Sequence, residues 1–245
     1  MTIALIDGDI LAFQAAAATE VPVKWDDDQW TLHASEADGQ RHVLDALQSI
    51  AKETKCTSMV IYLTGKKNFR TEILDSYKAN RKDTRKPLTL KALKDWMIEE
   101  HDAVLKEPYE ADDLIAIHAT KDTNTVIVSE DKDFMSVPCA LYNPRHKDRG
   151  VVTVTLEEAD RYFYSQVLTG DTADNYKGCP KVGPVKADKI LDAADGDYWP
   201  AVVAAYESTG LSEEDALVQA RCARILRTSD LKQPLNKEVP QWLPE

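Results

Sequence analysis

Short apolar runs recur along the first two thirds of the chain. Runs at 2–6, 58–63 and 124–129 have the length and composition of buried strands, and polar residues follow each of them. Two further strands are predicted within 139–155, on either side of an exposed basic loop at 145–149. These runs predict the strands of one sheet.

Amphipathic segments separate the apolar runs. Apolar residues recur at helical spacing within 38–54, 88–106 and 110–120, and a helix is also predicted over 69–77. Strands that alternate with helices predict an α/β fold with a parallel sheet flanked by helices.

The pattern changes near residue 156, after which it predicts helices only. We therefore divide the chain into an α/β domain, 1–155, and a helical subdomain, 156–245. The end of the chain is predicted to be irregular because it contains three prolines, Pro234, Pro240 and Pro244.

Composition and charge narrow the class of protein. The 245 residues are 43% hydrophobic and 29% charged, as in an ordinary globular protein. No apolar run approaches a membrane span, and the N-terminus lacks the basic region of a secretory signal. A cytoplasmic protein is expected.

The net charge of −12 is unevenly distributed. Segment 66–94 contains ten Lys or Arg and three acids, a net charge of +7, which leaves −19 for the rest of the chain. A basic segment can bind phosphate, and an acidic remainder can bind metal ions. The four cysteines lie at least 40 residues apart and the histidines are scattered, so structural zinc is not expected.

Acidic residues follow the predicted strands and open a predicted helix. Ligand sites of α/β proteins lie beyond the carboxyl ends of the strands. Clustered carboxylates repel one another unless cations neutralise them, and hard divalent ions prefer oxygen ligands. The acids at these places are Asp7 and Asp9, Asp131 and Asp133, Glu110, Asp112 and Asp113, and Asp171 and Asp174. Taken alone, each set of acids also has a structural explanation. Such acids occur in turns, cap helices, or offset the helix dipole in the first turn.

Two basic motifs point to nucleic acid. Tyr77 offers a ring for base stacking beside Lys78 and Arg81, which would lie on one side of a helix. The glycine-containing segment 178–191 is similar to a helix–hairpin–helix, in which a close backbone approach and a helix N-terminus bind phosphate. A solvated basic face and a plain helix joint are the structural alternatives.

Together, these motifs resemble the 5′-nuclease superfamily of flap endonucleases and 5′→3′ exonucleases, and most closely its free-standing bacteriophage type. The resemblance rests on Leu5-Ile-Asp-Gly-Asp, Phe69-Arg, Tyr77-Lys-Ala-Asn-Arg, Tyr109-Glu-Ala-Asp-Asp, Val128-Ser-Glu-Asp-Lys-Asp, Gly170-Asp-Thr-Ala-Asp-Asn and the hairpin at 178–191. It implies a PIN-like sheet, an arch segment near 64–106 and a helix-three-turn-helix near 171–195.

The resemblance also implies a role for each matching residue. Two divalent metal ions, Mg²⁺ or Mn²⁺, would be held by Asp7, Glu110, Asp112, Asp113, Asp131, Asp133, Asp171 and Asp174. Lys78 and Arg81 would be catalytic and contact the scissile phosphate. DNA would be bound by Arg70, Tyr77, Lys82, Lys181, Gly183, Lys186 and Lys189, with K⁺ a candidate ion at the helix-three-turn-helix.

One position departs from the family pattern. Members commonly carry an aspartate after the second strand, where this chain has Thr64. A threonine hydroxyl is neutral and a poor metal ligand, so the site is expected to have one formal charge fewer.

The resemblance implies a metal-dependent 5′→3′ DNA exonuclease or structure-specific flap endonuclease that hydrolyses phosphodiesters near 5′ ends. RNA in RNA–DNA hybrids is a further candidate substrate, replication proteins are candidate partners, and no membrane association is expected. Two alternatives stay open: a haloacid-dehalogenase-type phosphatase that uses Asp7 and Asp9, and a non-catalytic, structure-specific DNA-binding protein. An RNA-cleaving PIN nuclease is a third and weaker alternative.

Overall fold

The computed structural model describes residues 2–231 and 241–244. Pro234 and Pro240 of the predicted irregular tail lie outside these residues. Contacts divide the chain into two compact units. The first contains Met1–Lys66, Arg85–Asp131 and Cys139–Val152, and the second contains Lys67–Thr84, Lys132–Pro138 and Thr153–Glu245.

A six-stranded, mostly parallel sheet forms the centre of the first unit, which confirms the predicted α/β class. Its strands are β1 (Ile3–Asp7), β4 (Ser58–Leu63), β5 (Val104–Leu105), β6 (Thr125–Val128), β7 (Cys139–Tyr142) and β8 (Val151–Val154). Their spatial order is β5–β4–β1–β6–β7–β8, and β1 pairs in parallel with both β4 and β6. β1 is central because its apolar residues are buried on both faces.

Helices flank the sheet. α2 (Glu36–Thr54), α4 (Leu90–His101) and α5 (Ala111–Lys121) lie where the amphipathic pattern predicts helices, whereas α1 (Gly8–Ala18) was not predicted. Gly8 is required at the turn from β1 into α1, because a Cβ atom there would lie 2.6 Å from the carbonyl oxygen of Tyr62. The close approach brings α1 directly onto the sheet.

Two local predictions were wrong, and one element was missed. The segment predicted as a helix over 69–77 is helical only in α3 (Arg70–Ile73), and α4 ends at His101, before β5. An exposed antiparallel hairpin, β2 (Val21–Asp26) and β3 (Gln29–His33), was not predicted.

Four longer helices form most of the second unit. They are α6 (Leu156–Thr169), α7 (Pro184–Ala194), α8 (Tyr198–Glu207) and α9 (Glu213–Ala223). They pack around a core that includes Phe163, Leu191 and Tyr206. Segments 67–84 and 132–138 also belong to this unit, and its last segment begins at Thr153. The division into domains 1–155 and 156–245 stays a prediction. Within the described part of the chain, no helix is both long enough and apolar enough to cross a membrane.

Candidate functional site

Asp7 ends β1 and caps the helix that follows it. The residue is 4% exposed. One carboxylate oxygen accepts a hydrogen bond from the backbone amide of Ile10 (3.1 Å), and the other accepts one from the hydroxyl of Ser129 (2.7 Å). Burial raises the pKa of Asp7 to about 6, the charges of Asp9 and Asp131 add to the rise, and the two hydrogen bonds oppose it. A bound cation would favour the ionised form.

Ser129 connects two of the predicted metal ligands. Its hydroxyl donates to Asp7 and accepts a hydrogen bond from the backbone amide of Asp131 (3.0 Å). Ile6 and Val128 are partners in the parallel pair of β1 and β6, so the residues after them lie side by side. Ser129 was not among the predicted site residues, although its position directly after a buried strand is a signal that could have identified it.

The acids at 110–113 lie at the N-terminus of α5. Glu110 is buried, Asp112 is half-buried, and Asp113 has no exposed surface. The backbone amide of Glu110 donates to the carboxylate of Asp113 at 3.1 Å. Asp113 therefore stabilises the start of the helix, as the structural explanation for first-turn acids predicts.

Thr64 lies beside the same helix N-terminus. Its hydroxyl accepts a hydrogen bond from the backbone amide of Ala111 (2.9 Å), and its own amide donates to Asp9 (3.1 Å). Lys94 forms an ion pair with Asp9 (2.6 Å) and donates to the carbonyl oxygen of Thr64 (3.3 Å). Lys94 was not singled out in the sequence, because only the folded chain brings α4 beside the start of α1.

In the second unit, Asp171 lies in a tight turn between α6 and α7. Its backbone forms reciprocal hydrogen bonds with Tyr176 (2.9 and 3.1 Å). Its carboxylate accepts hydrogen bonds from the Lys132 ammonium (3.1 Å) and from the amides of Ala173 (2.6 Å) and Asp174 (3.3 Å). Burial would raise the pKa of Asp171, but these partners hold it below its usual value.

Asp174 contacts three residues that are predicted from the sequence to bind the substrate. It accepts a hydrogen bond from the Tyr77 hydroxyl (3.0 Å), and it pairs with Lys78 (3.6 Å) and Arg81 (2.5 Å). Lys78 has a left-handed backbone (φ 52°) and precedes a short 3₁₀ helix, Ala79–Arg81. The predicted α-helix that carries both cations is therefore wrong, but their proximity is confirmed.

Two of the predicted DNA contacts are buried. Tyr77 is 4% exposed and packs in the core of the second unit, so the prediction that its ring stacks on a base is wrong. Arg70 is 2% exposed, and its guanidinium donates to the carbonyl oxygens of Cys222 (3.1 Å) and Arg224 (2.5 Å). Arg70 is therefore a structural residue in this unit, and its prediction as a DNA contact is also wrong.

The remaining predicted residues of the second unit differ in exposure. Asp133 lies in a 3₁₀ helix, Lys132–Ser136, and accepts a hydrogen bond from the Gln166 side chain at 2.8 Å. Gly183 is the residue before α7, and a Cβ atom there would meet nothing within 4 Å. The exposed basic residues predicted to contact DNA are Lys82, Lys181, Lys186 and Lys189.

The carboxylates already have partners within each unit. Over residues 2–231 and 241–244, no three acidic, histidine or cysteine side chains form a ready-made cage for a metal ion. Hydrogen bonds and ion pairs hold Asp7, Asp113 and Asp171 as described above. The predicted metal ligand set thus stays a prediction.

The fold and the carboxylates after β1 and β6 are those of an α/β enzyme. The family described as "5′-3′ exonuclease, N-terminal resolvase-like domain" matches residues 2–158. The chain belongs to this family of nucleases, which hydrolyse phosphodiester bonds.

Curated relatives extend the match beyond that domain. The chain is 27% identical to the exodeoxyribonuclease of Enterobacteria phage T3, over 99% of this chain and 93% of the relative. The exonuclease of Escherichia phage T7 gives the same identity and coverage. The flap endonuclease Xni of Vibrio parahaemolyticus is 31% identical over 62% of this chain and 64% of its own length.

Solved structures share the fold at low sequence identity. The D15 protein of bacteriophage T5, co-crystallised with metal ions, has a TM-score of 0.65 and 15% identity, over 92% of this chain and 90% of that one. The catalytic core of Rad2 in complex with DNA substrate has a TM-score of 0.52 and 13% identity, over 87% of this chain and 65% of that one. The phosphatase alternative loses its basis, because the chain belongs to a different family and Asp9 is paired with Lys94.

Proposed function

We propose that this protein is a metal-dependent 5′→3′ nuclease that cleaves DNA near free 5′ ends or 5′ flaps. The observation that carries the proposal is the buried Asp7 carboxylate, which is destabilised as an anion and lies beside a second acid, Asp131. In a chain of the 5′-3′ exonuclease family, such a pair is best explained by a divalent cation.

The names of the relatives support DNA as the substrate. The phage T3 and T7 proteins are an exodeoxyribonuclease and an exonuclease. The D15 flap endonuclease of phage T5 is described in a complex with DNA and metal ions. RNA in RNA–DNA hybrids and interactions with replication proteins remain further candidates.

The donor set fits a hard divalent ion, with Mg²⁺ or Mn²⁺ the proposed cofactor. Carboxylate oxygens are the preferred ligands of these ions. When bound, such ions activate water and neutralise charge on the phosphodiester. The residues proposed to hold them are Asp7, Glu110, Asp112 and Asp131 in the first unit, and Asp133, Asp171 and Asp174 in the second, with Asp113 orienting Glu110.

Residues around the carboxylates would orient them for this role. Ser129 directs one oxygen of Asp7 and the backbone of Asp131. Thr64 fixes the amide that follows Glu110, and Lys94 neutralises Asp9. Thr64 is neutral, and the charge of Asp9 is balanced by Lys94. The negative charge near Asp7 is therefore lower than it would be with an aspartate at position 64 and an unpaired Asp9.

Lys78 and Arg81 are the proposed phosphate contacts. Asp174 holds both cations through ion pairs, and the Lys78 side chain is only 22% exposed. A fixed cation stabilises charge that develops on a phosphate in the transition state, because it need not reorganise during the reaction.

The exposed start of α7 is the proposed duplex contact. Gly183 leaves the backbone open there, and the N-terminus of a helix attracts phosphate. Lys181, Lys186 and Lys189 add positive charge around it. A K⁺ ion is also proposed to bind in the same hairpin.

Product mapping on 5′-labelled flap, nicked and blunt duplexes tests the proposal. Wild-type protein is expected to release short 5′ products with Mg²⁺ or Mn²⁺ and none with EDTA. Asp131→Asn should abolish cleavage and retain DNA binding. Asp45→Asn, at an exposed acid on α2, should retain both cleavage and DNA binding. Binding without cleavage by the wild type with either metal would instead establish a non-catalytic DNA-binding protein.

A further inference from the structure

Gln166 on α6 is a buried amide that contacts one of the proposed metal ligands. The residue is 7% exposed. Its side-chain NH₂ group donates a hydrogen bond to one carboxylate oxygen of Asp133 at 2.8 Å. Because an ionised carboxylate only accepts hydrogen bonds, the nitrogen end of the amide must face it. Gln166 was not among the residues predicted from the sequence to form the site.

The oxygen end of the same amide is unsatisfied. The side-chain oxygen of Gln166 is buried and has no hydrogen-bond partner among residues 2–231 and 241–244. A buried acceptor without a partner costs free energy, and an apolar side chain of the same length would avoid that cost. An amide at this position therefore indicates a role for its donor end.

The short 3₁₀ helix that carries Asp133 is held by contacts of its own. The Arg227 guanidinium donates to the backbone carbonyl oxygen of Ser136 (2.7 Å) and to the Asp160 carboxylate (2.7 Å). The Ser136 hydroxyl donates to the backbone carbonyl oxygen of Asp133 at 2.7 Å. These bonds hold the backbone, whereas Gln166 contacts the carboxylate itself. Gln166 is thus placed to set the direction of the Asp133 side chain.

Asp133 acts on the same buried group as the other proposed ligands of the second unit. Burial raises the pKa of the Tyr176 hydroxyl, and the charges of three carboxylates raise it further. These carboxylates are Asp133, Asp171 and Asp174. The direction of the Asp133 side chain consequently bears on a shared set of ligands.

A neutral donor is suited to orienting a metal ligand. An ammonium or guanidinium group would also hold a carboxylate in place, but its positive charge would compete with a metal ion. An amide forms the hydrogen bond and leaves the carboxylate negative. Residues that hydrogen-bond a metal ligand fix its geometry, and their loss commonly weakens metal binding by about 10- to 100-fold.

We propose that Gln166 is a positioning residue that orients the Asp133 carboxylate for a divalent cation. Because the proposed function assigns Asp133 to the metal site, this role rests on that proposal. Gln166 itself contacts neither the ion nor the substrate. It restricts rotation of the Asp133 side chain, so the carboxylate is already ordered when an ion binds.

Titration of the full-length protein with Mn²⁺ tests this role without DNA, with free Mn²⁺ followed by electron paramagnetic resonance. Gln166→Met keeps the length of the side chain and removes the donor, so Mn²⁺ affinity should fall by about tenfold. Gln219→Met is the matched control. It removes a half-buried amide of α9, whose oxygen accepts from the backbone amides of Lys177 and Gly178, and it should leave Mn²⁺ affinity unchanged.

A second background shows whether Gln166 acts through Asp133. Asp133→Asn should weaken Mn²⁺ binding by itself. Gln166→Met should then add at most about twofold, because the carboxylate that it orients is absent. An equal loss in both backgrounds, or wild-type affinity in Gln166→Met, would overturn the inference. If Gln166→Met does not fold, Gln166→Leu takes its place with the same expected results.

The outcomes separate the role of Gln166 from the proposed function. Wild-type protein that binds no Mn²⁺ would overturn both. Binding that is weakened by Asp131→Asn and by Asp133→Asn, but not by Gln166→Met, would overturn only the role of Gln166. Melting temperatures in EDTA complete the comparison: a structural effect alone would lower the melting temperature of Gln166→Met and leave the Mn²⁺ affinity of the folded protein unchanged.

Discussion

The hydroxyl of Thr64 accepts a hydrogen bond from the backbone amide of Ala111 at 2.9 Å. Ala111 is the first residue of α5, whose initial amides have no partner within the helix. Thr64, in the loop after β4, therefore caps the N-terminus of α5, although the two residues are far apart in the sequence. It secures the backbone that carries Glu110 and Asp112.

Removal of this acceptor should destabilise the protein. Thr64→Val keeps the shape of the side chain but removes the hydroxyl, so the free energy of unfolding should fall by about 1 kcal/mol, as for loss of a helix cap. Thr64→Ser restores the oxygen and should recover most of the loss. Urea denaturation of the three proteins in EDTA provides the measurement, and equal midpoints would show that the hydrogen bond contributes nothing.

Thr64→Asp should tighten binding of divalent ions. A carboxylate there retains an acceptor for the Ala111 amide and adds charge near Asp9, whose carboxylate accepts a hydrogen bond from the backbone amide of residue 64 (3.1 Å). Metal affinity rises with ligand charge, whereas like-charge repulsion destabilises the metal-free protein. The expected result is a lower Mg²⁺ concentration for half-maximal cleavage, together with an unchanged or reduced melting temperature in EDTA.

A Mg²⁺ titration of Thr64→Asp identical to that of the wild type would contradict this expectation. Thr64→Asn serves as the matched control, because it offers an acceptor of the same shape without the charge. Tighter binding in both variants would point to geometry, and not charge, as the cause.

Lys78→Ala should slow cleavage far more than it weakens DNA binding. Asp174 holds the ammonium of Lys78 in place, and a preorganised donor of this kind contributes about 10² to 10³ in rate. Single-turnover kinetics at saturating enzyme isolates the effect. Lys82→Ala, four residues further along and exposed, is expected to change binding and leave the single-turnover rate near that of the wild type.

The sequence specified the buried framework better than the exposed or paired residues. The apolar run at 58–63 forms β4 with the predicted bounds. β4 lies inside the sheet between β5 and β1, where apolar residues are favoured on both faces of a strand. The β2–β3 hairpin was missed because its residues are almost all exposed and Pro22 is atypical of a strand.

Candidate site residues were predicted well by type and less well by environment. The i, i+3 spacing of Lys78 and Arg81 correctly placed them together, but a left-handed backbone at Lys78 cannot be seen in such a spacing. In the sequence, Arg70 cannot be told apart from an exposed arginine that binds DNA. Only the folded structure shows that its guanidinium donates to carbonyl oxygens more than 150 residues away. Pairing of Lys94 with Asp9 likewise depends on tertiary structure.

Lys186→Ala should weaken duplex binding almost independently of sequence. Lys186 is exposed near the start of α7, where it would contact phosphate. Loss of one phosphate contact should reduce the slope of log K against log salt by about 0.9. Fluorescence anisotropy over a salt series measures the slope, with Lys52→Ala on α2 as a control that should leave it unaltered. An unchanged slope in Lys186→Ala would remove α7 from the DNA interface.

Asp7 should make the metal-free protein less stable as the pH rises. Its pKa is about 6 in the folded protein and 3.8 in the reference state, so the folded form binds the proton more tightly. The favourable contribution is complete below about pH 4, declines as the pH rises, and is lost above the folded pKa of about 6. At 1.36 kcal/mol for each pKa unit, the change amounts to about 3 kcal/mol.

Asp7→Asn isolates this contribution, because asparagine does not titrate, its one amide oxygen can still accept from the Ile10 amide, and its NH₂ group can donate to the Ser129 hydroxyl. In EDTA, the free energy of unfolding of the wild type should fall relative to that of Asp7→Asn by about 3 kcal/mol between pH 4 and pH 7. Mg²⁺ should restore the wild type at pH 7, where the carboxylate is ionised, and should affect it little at pH 4. Denaturation curves at four pH values, with and without Mg²⁺, provide the measurement. A wild-type-to-variant difference that stays constant with pH would show that Asp7 is already ionised at pH 4, and the buried carboxylate would then need no cation to stabilise it.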